Sequence, residues 1–109
     1  MRLPRYYEPG IATIRDVIEE VDVGSAAEAT KLVLAELNRV LWAAVPNPSL
    51  KAALEDVRHE MLQLVAALCA VGDDDAWIER QHTHAAVDRL VKVLVETEPN
   101  ELTKVLDAA

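Results

Sequence analysis

The residues best equipped for chemistry are three histidines, one cysteine and a surplus of carboxylates. His59 is followed directly by Glu60, and an imidazole can exchange a proton near neutral pH wherever a cleft supplies it with a partner. On a helix, His59 falls on the side away from the apolar seam of segment 50–71, where a solvated or interface residue is the ordinary occupant. His82 and His84 carry donors that suit a metal ion. Residues two apart on a helix diverge, and no second cluster of Cys or His joins them, so a polar turn is expected there and no metal site. Cys69 stands alone in an apolar stretch, where a thiol behaves as a small hydrophobe.

The carboxylates Glu55, Asp56 and Glu60 on one segment, with Glu28 and Glu36 on the segment before it, raise the question of magnesium-assisted hydrolysis. Helical magnesium centres of that kind use Glu-x-x-Glu and Glu-x-x-Asp pairs that converge on the cation. Glu36 has no Glu three residues away, and Glu55 and Glu60 do not share that spacing, so these side chains read as surface charge. Asp73, Asp74 and Asp75 read as the acidic start of a helix, where free N–H groups and the macrodipole favour negative charge. No Gly-x-x-x-x-Gly-Lys loop, nucleophile elbow or dinucleotide fingerprint is present, and three glycines leave little from which to build a phosphate cradle. The sequence holds no complete catalytic motif.

These residues must be positioned by helices, because the apolar pattern repeats at helical and never at strand spacing. Residues 1–10, with Pro4, Pro9, Gly10 and the pair Tyr6 and Tyr7, read as an extended arm. Ile11, Ile14, Val17, Ile18 and Val21 then predict a helix over 11–23, ended by Gly24. Ser25 and Glu28 have the spacing of a capping box and open a helix over 25–45, with Val33, Leu34, Leu37, Val40, Leu41 and Ala44 on its apolar face and Pro46 and Pro48 beyond it. Ser49 is expected to cap a third helix over 50–71. Its residues Leu50, Leu54, Val57, Met61, Leu64, Leu68 and Val71 alternate spacings of four and three, the heptad seam of nearly parallel or antiparallel packing, with Gly72 as the residue after it. A fourth helix is expected over 75–97 on the face Val87, Leu90, Val91, Leu94 and Val95, with Arg80 to His84 polar enough to permit a break, and there is room for a short last helix over 101–107.

A chain of 109 residues is one domain, and 51% apolar content without a single Phe requires a core of Leu, Val, Ile and Ala. The fold class expected is an all-α, up-and-down bundle of about four helices that self-associates. Nineteen acidic against eleven basic residues give a formal charge of −8, which argues against nucleic acid and anionic membrane as partners. One cysteine excludes an internal disulfide. No cationic segment followed by an apolar run opens the sequence, so neither a cleaved signal nor a membrane span is expected, and the expected location is the cytoplasm.

Three segments lie in order on successive predicted helices: Ala35-Glu36-Leu37-Asn38, then Arg58-His59-Glu60-Met61-Leu62-Gln63-Leu64 with Ala67-Leu68-Cys69, then Ala86-Val87-Asp88-Arg89-Leu90. They resemble, respectively, the Asp-Glu-Leu-Asn segment, the Gln-His-Glu-Leu-Phe-Asp-Leu helix and the start of the next helix of the propanediol-utilisation type of cobalamin adenosyltransferase. The resemblance implies a trimer of helical bundles, with cobalamin and ATP as ligands and Asn38, His59 and Glu60 lining any retained site. The family's Thr-Gly-Asp-x-Gly-x-Thr loop for ATP is matched only by Glu8-Pro9-Gly10-Ile11-Ala12-Thr13, and Ala35 stands where the family has Asp. The family's Pro-Gly-Gly turn and Arg- and Glu-rich final helix have no counterpart in the sequence. What the resemblance implies is therefore a non-catalytic, self-associating bundle, an accessory or ligand-binding relative. An active ATP:cob(I)alamin adenosyltransferase with its site between subunits is one alternative. A helical adaptor that binds a protein partner through the apolar surroundings of Trp42 and Trp77 is the other.

Overall fold

The computed structural model describes residues 3, 5–43 and 48–96, with the backbone alone for 41–43. Over these residues the chain is an all-α bundle of helices α1 (Glu8–Glu20), α2 (Ala26–Ala43), α3 (Pro48–Val71) and α4 (Trp77–Glu96), with no strand among them. Each helix packs against its neighbours in sequence, and α4 closes the ring against α1. All four contacts are antiparallel: the pairs Gly10 and Glu36, Leu34 and Arg58, Asp56 and Arg89, and Arg15 and Asp88 each run in opposite directions along their helices. No helix among the described residues is long and apolar enough to cross a membrane.

The core is aliphatic. Ile14, Ile18, Val33, Leu50, Val57, Leu64, Leu68, Val87 and Leu90 are wholly buried, as the spacing of these residues predicts. Burial of one such side chain is worth roughly 1.5–3 kcal/mol, so this aliphatic set holds the bundle together without Phe. Thr83 is the one buried polar side chain among the described residues. Its hydroxyl lies 2.7 Å from the Glu79 carbonyl and 3.1 Å from the Glu60 carbonyl, so its proton is satisfied within α3 and α4.

The helix ends differ from expectation for local reasons. Within the expected arm, α1 already begins at Glu8, because Pro9 sits in the first turn, where its missing N–H costs nothing. Tyr7 is buried in the core and Tyr6 packs edge-on against it, ring centroids 5.5 Å apart. The helix stops at Glu20, short of 23, because Val21 turns to extended backbone. In place of a Ser25–Glu28 capping box, Ser25 pairs backwards: the Asp22 N–H donates to the Ser25 hydroxyl (3.1 Å) and the Ser25 N–H donates to the Asp22 carboxylate (2.8 Å). Glu28 faces Lys31 instead, at 3.8 Å.

The same favourable first-turn position explains why α3 begins at Pro48, which places Ser49 inside the helix and not at its cap. Gly72 follows α3 with φ of +88°, the left-handed backbone expected of that residue. Asp73, Asp74 and Asp75 form the turn before α4, which starts at Trp77. The polar stretch 80–84 permits a break but α4 runs through it, since Arg80 and Thr83 find their partners inside the bundle. Val71, placed on the seam by its spacing, is 53% exposed because α3 has run past the core at that point. Ala44, Pro46 and the expected helix over 101–107 lie outside the described residues.

Candidate functional site

Four of the large exposed hydrophobic side chains gather at one end of the bundle, where the α1–α2 and α3–α4 turns meet. Trp77 is 62% exposed, Val71 53%, and Ile78 and Val23 each 46%. The two turns are tied together by the Asp73 carboxylate, which accepts the Val23 N–H at 3.0 Å. Arg80 reaches across from the first turn of α4 and donates to the carbonyls of Ile18, Glu19 (3.1 Å) and Val21 (3.1 Å), the acceptors that the end of α1 leaves without helical partners. His84, one turn further along α4, lies 2.9 Å from the Glu19 carboxylate. These bonds link the two turns and fasten the first turn of α4, which carries Trp77, to the end of α1.

The same end is acidic. Residues 19–25 and 71–79 contain Glu19, Glu20, Asp22, Asp73, Asp74, Asp75 and Glu79 and not one Lys, Arg or His. Arg80, the first basic residue after this stretch, is taken up by backbone carbonyls, and the His84 ring lies against the Glu19 carboxylate. Asp22 is held below its ordinary pKa of 3.8, first by the Ser25 hydroxyl and then by the Ser25 backbone N–H, which favour its charged form. Three carboxylates elsewhere have an arginine partner: Asp56 with Arg89 at 2.6 Å, Asp88 with Arg15 at 2.9 Å and Glu36 with Arg39 at 3.1 Å.

The residues singled out by sequence do not share one cradle. Asn38 lines a groove of about 350 Å³ between α2 and α3, with Leu34, Leu37, Leu54, Glu55 and Arg58. His59 and Glu60 are not part of that lining; His59 is exposed, and the Glu60 carbonyl faces Thr83 on α4. His82 is exposed while His84 points to Glu19, so the two histidines have separate surroundings. Among the described residues no three His, Cys, Asp or Glu side chains are placed to hold a metal ion. A second, smaller groove of about 230 Å³ lies between α1 and α2, with the exposed Leu32 beside Glu20 and Glu28. Trp77 is exposed, and the Trp42 side chain lies outside the described residues.

Sequence reasoning missed Arg80, Val23 and Ile78. Arg80 stands in a stretch polar enough to permit a break, and only the return of α1 beside α4 gives it three carbonyls. Compared with known proteins, the chain matches no family model, no curated protein and no solved structure.

Proposed function

We propose that this chain is a non-catalytic helical bundle that works by binding another protein. The observation that carries the reading is Trp77, which stays 62% exposed on a helix end fastened to α1, beside Val71 and Ile78. A large aromatic has no folding reason to remain in water at a position fixed this firmly, and Trp set among smaller apolar side chains is the usual anchor of a protein interface. The test compares the chain with a Trp77→Ser/Ile78→Ser variant, by light scattering and by tagged purification from its own cell. The wild-type chain is expected to bring down a stoichiometric partner and the variant none, and a multimer formed by the wild-type chain alone would point to a second copy and not to another protein. Identical behaviour of the two would sink the reading.

A second reading, the cobalamin adenosyltransferase resemblance, draws support from the α2–α3 groove, which Asn38 and Arg58 from two of the resembling segments both line. Within one chain Asn38, His59 and Glu60 do not converge on a corrinoid or a nucleotide, so this reading requires a site completed by neighbouring subunits, the trimer of the resemblance. Adenosylcobalamin absorbance appearing from reduced cobalamin plus ATP would establish it and displace the first. We expect the spectrum to stay unchanged.

A further inference from the structure

We propose that the end formed by the α1–α2 and α3–α4 turns docks a cationic amphipathic helix of a partner protein, with Trp77 as the anchor. This rests on the protein-binding reading above and adds the chemistry of the partner. Two observations meet at the same place. The apolar one is the exposure of Val23, Val71, Trp77 and Ile78; the electrostatic one is the run of carboxylates Glu20, Asp22, Asp74 and Asp75 in the same two turns, residues 19–25 and 71–79 holding no Lys, Arg or His.

Together they select among occupants. A second copy presenting this end would bring one run of carboxylates against another, and like charges brought face to face across an interface disfavour it. Anionic lipid and nucleic acid are repelled for the same reason. A peptide that is merely basic would be steered to the end but would leave Trp77 and Ile78 in water. A helix with apolar residues at positions i, i+3 and i+4 and Lys or Arg along its flanks answers both features, covering the apolar side chains while its cations meet the carboxylates.

The probe is a synthetic helical peptide of leucine and lysine in amphipathic order, titrated into the full chain while the backbone amide resonances are followed. Controls replace every lysine by glutamate, or every leucine by serine; a further arm uses phosphatidylcholine vesicles. The leucine–lysine peptide is expected to bind, to move amide signals of residues 22–25 and 72–79 and to weaken as salt is raised. Both control peptides and the vesicles are expected to leave those signals in place. Trp77→Ala and, independently, Asp74→Lys/Asp75→Lys are each expected to weaken the peptide about tenfold while leaving the helical circular-dichroism signal and the melting temperature unchanged.

Equal binding of the glutamate peptide, shifts spread over the whole bundle, or uptake by the vesicles would overturn the proposal. If the leucine–lysine peptide fails while Trp77→Ser/Ile78→Ser still abolishes association of the native chain, the cationic partner is wrong and the protein-binding reading stands. If both experiments fail, both readings fall.

Discussion

Arg80 does at the level of one side chain what a C-terminal glycine does elsewhere: it satisfies the carbonyls at the end of a helix. Its guanidinium takes acceptors from Ile18, Glu19 and Val21, and because the donor sits on α4 the bonds also fasten α1 to α4. Hydrogen bonds from a charged donor are worth about 1.5–3 kcal/mol, so Arg80→Met is expected to lower unfolding stability by about 2–3 kcal/mol in urea titrations. Lysine is a point charge without the planar fork, and Arg80→Lys is expected to recover less than half of that loss. Asp22 gives a pH signature at the same end. The Ser25 contacts lower its folded pKa below 3.8, so its contribution is fully present above that value and is lost as the pH falls through the lowered one. The stability gap between the wild type and Asp22→Asn, followed by urea melts across pH, should therefore be constant near neutrality and close in acid.

Helices were legible wherever a residue's spacing alone decides its burial. In α3 the seam residues Leu50, Leu54, Val57, Met61, Leu64 and Leu68 are all buried, and in α4 so are Val87, Leu90 and Leu94. Helix ends were not legible, because they depend on partners far along the chain. Val71 continues the seam in sequence, yet no helix stands opposite it. Residues 80–84 are polar in sequence, yet Arg80 and Thr83 are satisfied by α1 and α3. Gly10 shows how closely two elements approach. A Cβ there would come within 2.8 Å of a Glu36 carboxylate oxygen, the free tip of a flexible side chain already turned toward Arg39. Because that tip can swing aside, Gly10→Ala is expected to raise stability by about 0.5 kcal/mol through the entropy that a glycine otherwise loses in a helix. Thermal melts decide the sign, and a fall in melting temperature would mean that Glu36 cannot move.

Taken whole, the molecule separates its apolar side chains into two populations with different tasks. The exposed apolar end escaped the sequence because membership of these populations is invisible there: Leu68 and Val71 are three residues apart on one seam, but the first is wholly buried and the second half exposed. The candidate residues Asn38, His59 and Glu60 came from resemblance in short segments, and helical geometry turns neighbouring residues about 100° apart, so adjacency in sequence did not make one site. The two populations predict opposite mutational behaviour. Leu64→Ala and Leu90→Ala remove wholly buried side chains and should each cost about 2–5 kcal/mol, through lost transfer energy and the cavity left behind. Val71→Ser, Trp77→Ser and Ile78→Ser remove side chains that water already reaches, and each should change stability by no more than about 0.5 kcal/mol. Should Trp77→Ser instead destabilise the chain as much as Leu64→Ala in the same urea titration, Trp77 would be part of the core and the end of the bundle would lose its claim to be a binding surface. If stability holds while association is lost, the exposed end exists for a partner and not for the fold.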